Sequence, residues 1–471
     1  MSSTAKYLIL EWMRMAYTSA PTVHRSFLAA LKPSFLGRRH LKPRTLYPTS
    51  YLDGLRGVAA LFVVFNHYVA QYFPYLSHGW GSGDGSNAAQ GKNDRIIQLP
   101  ILRTVYSGRF MVTIFFVISG YVLSHKPLGL ARRRDLAAVL QSLSSSVFRR
   151  WLRLMLPALA STIIGLVLAR TGLAHNLYSD WDTLSAAGPP TTGRVVVEAK
   201  LPEPKDATFS SWVEDCLIMV DPFQFGNFKF PTYNFPLWTM QVEYMGSMIV
   251  FTLVLGIVLA RPKYRIAIPS MLVAFCLFTG RWQWTLFISG VLLAELSHGN
   301  SVQYDLLLDA STEDVTEKPT EPFPSSIRRT IFSYLPYSVG FILACYIGTY
   351  PEYGADSSPG YRLLSLYVPA RWAWFGGYFY PVLGSILLVA ILEHGKFLQK
   401  IFTTRIAQYL GDISLSMYML HTQVELSLGN WLIPKCLSLT SGFGALGFLV
   451  GMIIALSCCA IVTVWASDLF W

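Results

Sequence analysis

Residues 52–69 read LDGLRGVAALFVVFNHYV. Between Arg56 and His67 the segment carries no charge and is almost wholly apolar. Such a run fits the ~30 Å hydrocarbon core of a bilayer as a helix, since open strands leave their backbone unsatisfied in lipid. Ionisable side chains inside such a run are costly and mark function by default. Arg56 and His67 are eleven positions apart. At ~100° per residue that is ~1100°, within ~20° of three turns, which puts both side chains on one face ~16 Å apart along the axis. A basic residue at a helix end explains Arg56 alone, and a satisfied histidine explains His67 alone. Together they make a polar stripe on one inward face.

The rest of the chain repeats this apolar pattern. Of 471 residues, 52% are hydrophobic, 14% aromatic and 14% charged, with a mean hydropathy of +0.40. A soluble domain carries about 25% charged residues. A disordered chain, a coiled coil and a cytosolic enzyme are thereby excluded. The net charge of +11 comes from 38 Lys and Arg against 27 Asp and Glu. In a membrane chain that excess belongs to cytosolic loops and the lipid surface, so no nucleic acid is expected as a partner. The six cysteines are scattered through apolar runs with no CxxC or zinc spacing, and no metal is expected. Residues 1–50 do not read as a clear signal peptide, because the apolar stretch at 7–10 is too short and is soon followed by Glu11 and Arg14, and a transit peptide is the weaker alternative. They read as a basic cytosolic segment ahead of a membrane domain at 51–471.

A window of about 19 residues marks ten spans, near 55–73, 104–124, 152–169, 236–260, 265–280, 282–298, 330–350, 374–393, 406–428 and 443–467. The fold class expected is all-α, a polytopic transmembrane helix bundle of about ten spans. The fifth and sixth are parted only by Gly280 and Arg281. Basic clusters at 125–151, 261–265 and 396–405 put the N-terminus in the cytosol, and the even count returns the C-terminus there. The endoplasmic reticulum and the plasma membrane are the membranes considered. Residues 170–235 form a long luminal or exterior loop, read equally as a folded cap or as an acceptor-binding surface. Residues 299–328 read as an acidic, flexible cytosolic linker.

Two further deep ionisable groups stand out. Glu243, in PLWTMQVEYMGSMIVF, lies ~10 Å inside the span that enters at Pro236, and His67 lies ~12 Å from the same luminal face. The matching depths predict that Glu243 pairs with His67, or with His421 of LGDISLSMYMLH as the second choice. For His421 a structural polar network is the competing reading.

Five segments together resemble the acyltransferase 3 family of polytopic membrane acyltransferases: YLDGLRGVAALFVVFNH at 51–67, VTIFFVISGYVLS at 112–124, FRRWLRLMLP at 148–157, PLWTMQVEYM at 236–245 and LGDISLSMYMLH at 410–421. The family includes bacterial enzymes that O-acetylate surface glycans and fungal enzymes that acylate secondary metabolites. The resemblance implies that Arg56 and His67, its R-x10-H pair, serve acyl transfer. It implies that Arg150 and Arg153, its RxxR pair, hold CoA phosphates, and it marks Ser119, Gly120 and Glu243. Thr113 departs from the family, whose members often carry an acidic or polar residue there. The chain ends at Trp471, so no appended esterase-like domain is expected.

The chemistry is consistent with that resemblance. Acyl transfer from a thioester to a hydroxyl needs a base near neutral pH, which His67 supplies, with Glu243 as the group that orients it. Polyanionic CoA needs cations, and Arg149, Arg150 and Arg153 crowd the basic end of one span. The expected partners are acetyl-CoA or another acyl-CoA as donor, a hydroxylated acceptor and the lipid bilayer. No GxGxxG, P-loop, GxSxG or HxxxD motif lies at a suitable site. A proton-coupled transporter using the Arg56–His67 stripe is the alternative, and a structural or sensory protein the third reading.

Overall fold

The computed structural model describes residues 45–70, 73–82, 93–175, 200–221, 230–312, 323–440, 442 and 444–470. The basic segment 1–44 lies outside them. Thirteen helices carry the fold: α1 (Ser50–Ala70), α2 (Gly108–Arg132), α3 (Leu136–Thr171), α4 (Phe209–Val220), α5 (Trp238–Ile257), α6 (Pro262–Thr279), α7 (Trp282–Thr312), α8 (Phe323–Gly348), α9 (Gly376–His394), α10 (Lys396–Phe402), α11 (Arg405–Val424), α12 (Asn430–Thr440) and α13 (Gly444–Phe470). Among the described residues there is no strand, only an isolated bridge between His78 and Tyr353. Ten of these helices have 18 or more residues, and each falls on one expected span.

Among the described residues, five helical stretches are long and apolar enough to cross a membrane by length and composition: Gly108–Arg132, Leu136–Thr171, Phe235–Ile257, Gly376–His394 and Leu449–Phe470. α11 misses for a physical reason. It buries Gln408, Ser414, Ser416, His421, Thr422 and Gln423 against protein. A helix walled in by neighbours has no need of an apolar surface, whereas α13 exposes Leu449, Ile453, Ile454 and Ile461.

Helix boundaries correct two expectations and match a third. The basic 125–151 stretch is largely helical: α2 runs to Arg132, and α3 starts at Leu136 behind an Asp135 N-cap whose Oδ1 accepts from Ala138 N at 3.0 Å. Arg149, Arg150 and Arg153 therefore sit within a 36-residue helix rather than at its mouth. The doubtful pair 265–280 and 282–298 are two separate helices. Gly280, at φ +74°, ends α6 in the left-handed conformation that glycine adopts freely. Of the 299–328 linker, 299–312 continues α7 and 323–328 begins α8, while 313–322 lies outside the described residues.

Two close helix crossings set the frame. Gly57 and Gly411 let α1 and α11 touch backbone to backbone, where a Cβ on either would collide with the facing main chain, and Gly54 does the same for α1 against Phe402 of α10. Gly120 and Gly290 do the same for α2 and α7. Charged ties complete the bundle. Glu295 of α7, fully buried, binds Arg132 at 2.8 Å and Arg265 at 3.1 Å. Glu393 of α9 accepts from Tyr51 of α1, Tyr121 of α2 (2.9 Å) and Ser297 of α7 (2.6 Å). In an apolar surround such groups persist only when paired.

Within 170–235, residues 176–199 and 222–229 lie outside the described residues. The described part is held on the bundle. Trp212 of α4 donates to Thr162 of α3 at 3.1 Å, and Asp215 accepts the backbone N–H groups of Thr232 and Tyr233 at 2.8 and 3.2 Å.

Candidate active site

A cavity of about 650 Å³ opens between α1, α2, α3, α5 and α11. Its polar wall is Arg56, Ser119, Arg150, Arg153, Thr239, Glu243, Asp412, Ser414 and Tyr418, and Phe115, Val122, Leu152 and Leu156 are among its apolar lining. Five of the residues expected from sequence thus share one wall: Arg56, Ser119, Arg150, Arg153 and Glu243.

Each is placed by its helix. Arg56 faces α11 because the glycine contact brings the two backbones together. Its Nε donates to Ser414 Oγ at 3.0 Å and its Nη2 to Gly411 O at 3.1 Å, while Asp53 Oδ1 lies 3.4 Å away. Ser119 precedes the packing residue Gly120, so α2 turns its hydroxyl from α7 toward α5, where it donates to Glu243 Oε1. The same Oε1 accepts from Arg150 Nη2. Arg150 Nε donates to Ser247 Oγ at 2.8 Å, one turn beyond Glu243 on α5. One carboxylate thereby joins α2, α3 and α5.

That carboxylate is not paired with a histidine, against expectation. Depth arithmetic fixes height along the membrane normal but not azimuth. Glu243 points at α2 and α3, and the early start of α3 brings Arg150 to its level. Arg153, one turn on, is exposed on the cavity wall and makes no hydrogen bond or ion pair among the described residues. Arg149 is also exposed, but it points away from the cavity and bonds its own helix through Ser145 O at 3.2 Å. Its expected place among the CoA ligands is not supported by the geometry: successive helical residues are ~100° apart, so two of three near arginines share a face.

His67 and His421 come together instead. Their ring centroids are 4.9 Å apart at an interplanar angle of 43°. Neither lines the cavity. Tyr418, which does, lies 5.8 Å from the His421 ring and 5.9 Å from Phe115, edge-on. Its hydroxyl accepts from Thr239 at 3.0 Å, one turn before Glu243. Tyr418 is thus the residue shared by the arginine-walled cavity and the histidine pair. Sequence reading did not single out Ser414, Tyr418 or Ser247. The signal was present: Ser414, Tyr418 and His421 follow i, i+4, i+7 spacing, and Ser247 stands four residues after Glu243. Among the described residues, no group of three or more His, Cys, Asp or Glu has the geometry of a metal site.

A family model for the acyltransferase domain of the acyltransferase 3 family matches residues 49–470. Curated relatives are fungal. The O-acetyltransferase PaAT-1 of Phomopsis amygdali is 28% identical over 95% of this chain and 86% of its own length. Acyltransferase R4 of a Phoma species is 26% identical over 91% of this chain and 93% of its own. Acyltransferase clz18 of Cochliobolus lunatus is 26% identical over 84% and 88%. No solved structure matches the chain. The chain belongs to the acyltransferase 3 family of membrane acyltransferases.

Proposed function

We propose that this acyltransferase moves an acyl group, acetyl foremost, from acyl-CoA to a hydroxyl of a small molecule such as a secondary metabolite, or of a glycan. The observation that carries the proposal is the single cavity whose wall holds Arg56, Arg150 and Arg153, bounded by the tyrosine that touches the His67–His421 pair. The similarity to a protein named an O-acetyltransferase favours acetyl, and the fungal relatives favour a small-molecule acceptor over a glycan. The proposed topology keeps about ten spans with both termini cytosolic, so that the arginine wall opens where acyl-CoA is made. The endoplasmic reticulum and the plasma membrane both satisfy it.

The roles follow from chemistry. Arg153, with no partner among the described residues, takes phosphate, and Arg56 adds a second positive centre. Arg150 is largely neutralised by Glu243, and both are positioning residues for this wall. The thin pantetheine arm passes Tyr418 and sets the thioester beside His67. His67 removes the acceptor hydroxyl proton as the oxygen attacks the thioester carbonyl carbon. The C–S bond then breaks, and the proton passes from His67 to the leaving CoA sulfur. A proton-coupled transporter gives the Arg150–Arg153 wall no role. Purified protein given labelled acetyl-CoA and hydroxylated acceptors tests the reading: label must move to an acceptor as free CoA appears. Label transported across vesicles without CoA release would favour the transporter.

A further inference from the structure

Glu243 is committed to Arg150 and Ser119. What meets the His67 ring is a second imidazole. His421 is fully buried, and its Nδ1 lies 3.2 Å from the carbonyl oxygen of Met417. A carbonyl only accepts, so Nδ1 carries the hydrogen and Nε2 is a bare acceptor. That Nε2 finds no hydrogen-bond partner among the described residues. Buried polar atoms without partners are rare enough in folded proteins to need a reason. With the ring of His67 centred 4.9 Å away, facing nitrogens fall within hydrogen-bond range once the rings turn toward each other. The terminal torsion of histidine is broad, so that turn is easy.

We propose, on the basis of the transferase reading above, that His421 is the positioning residue for His67. Its Nε2 accepts the N–H of the His67 ring, which leaves the other His67 nitrogen as the lone pair that faces the acceptor hydroxyl. During transfer the proton taken from the hydroxyl makes His67 an imidazolium, and neutral His421 holds that cation by the same hydrogen bond. The proton then leaves on the CoA sulfur, and His421 is unchanged. A neutral imidazole thus replaces the carboxylate of a His–Asp pair, at no cost of a further buried charge.

Other polar and titratable groups surround His421. From α1, besides His67, Tyr68 donates to the His421 carbonyl at 3.5 Å and meets Thr463 of α13 at 3.3 Å. On α11 itself, Tyr418 is engaged with Thr239 and Pro236. The carboxylate of Glu425, one turn on and fully buried, neighbours Cys459 of α13. Asn234 on the other side spends its amide on Ser161 and the Met419 carbonyl.

The test uses full-length protein in detergent with acetyl-CoA and a set of 1-octanol, menthol and methyl glucoside as acceptors, read by free CoA thiol. His421→Ala should lower kcat about 100-fold with KM for acetyl-CoA within twofold. The ascending limb of its pH–rate profile should move to lower pH, since the hydrogen bond that favours protonated His67 is gone. His421→Gln places an amide oxygen near the Nε2 position, and should restore most of kcat and the wild-type limb. If Ala and Gln lose activity alike with the limb unmoved, His421 is merely structural and the assignment is overturned. If Ala fails to fold, a Gln variant that folds yet loses kcat 100-fold also overturns it. His67→Ala serves as the control for the underlying reading: thiol release at wild-type rate in that variant removes the base itself, and the positioning role with it.

Discussion

Replacing Glu243 by glutamine separates two accounts of that residue. In the structure its Oε1 accepts from Ser119 and from Arg150, on three different helices. Glutamine keeps the shape and an acceptor oxygen but removes the charge. The Ser119 bond then falls from the charge-assisted class to the neutral one, and the Arg150 bond keeps only its charged donor, a loss of about 1 kcal/mol apiece, or about 2 kcal/mol for the two. Two kcal/mol is about a 30-fold shift in the unfolding equilibrium, so E243Q should unfold a few degrees lower in detergent. Alanine does more, leaving Arg150 inside the wall with only Ser247, at about 3–5 kcal/mol for a broken buried pair. Because Glu243 does not touch His67, the kcat of E243Q should fall by no more than about tenfold. The KM for acyl-CoA should stay level or fall, since Arg150 regains an unneutralised charge facing the cavity. Thermal unfolding by intrinsic fluorescence and steady-state kinetics on one preparation decide the matter. A loss of several orders of magnitude in kcat at wild-type stability would refute this reasoning and make Glu243 the electrostatic partner of the base.

Arg153→Ala should raise the KM for acyl-CoA about 10- to 100-fold, the worth of one charge-assisted bond of ~1.5–3 kcal/mol, with acceptor KM unchanged; Arg149→Ala should change neither. Glu295→Gln leaves buried Arg265 and half-buried Arg132 without a counter-charge and should cost about 3–5 kcal/mol, read as a lower unfolding temperature. Gly57→Ala puts a methyl into the Gly411 backbone, so α1 and α11 must part. A loss of about 1–3 kcal/mol is expected, with kcat falling because Arg56 and His67 move off α11 together; a variant of wild-type stability and rate would show that the contact is not needed.

Helix placement was legible because hydropathy reports length of apolar run, and all ten expected spans fall on helices. Even α1 and α11, polar enough to miss a strict hydropathy threshold, were found from their apolar stretches. Inward-facing charge was legible as well: Arg56, Ser119, Arg150, Arg153 and Glu243 meet on one wall. Partner choice was not. Height along a helix follows from residue count, but the direction Glu243 faces depends on which helices flank α5, and that is a tertiary fact. Hence the expected Glu243–His67 pair gave way to Glu243–Arg150, and His67 met His421 instead. Arg149 stands off the cavity wall: three basic residues in a row of five look alike in composition, and only the 100° turn of the helix separates them. Tyr418 and Ser414 went unmarked because hydroxyl residues on a helix are common, and their role appears only once α11 is laid against α1 and α5.

The central claim is that this cavity delivers an acyl-CoA thioester to His67. Its most direct test is transfer of labelled acetyl from acetyl-CoA to a set of hydroxylated terpenoids, polyketides and sugars, by purified wild-type protein and a correctly inserted His67→Ala variant side by side. The account predicts that wild type acetylates an acceptor with matching release of CoA, while the variant still binds acetyl-CoA but transfers at least about 100-fold more slowly, the contribution typical of a general base. Equal transfer by the two proteins would contradict it.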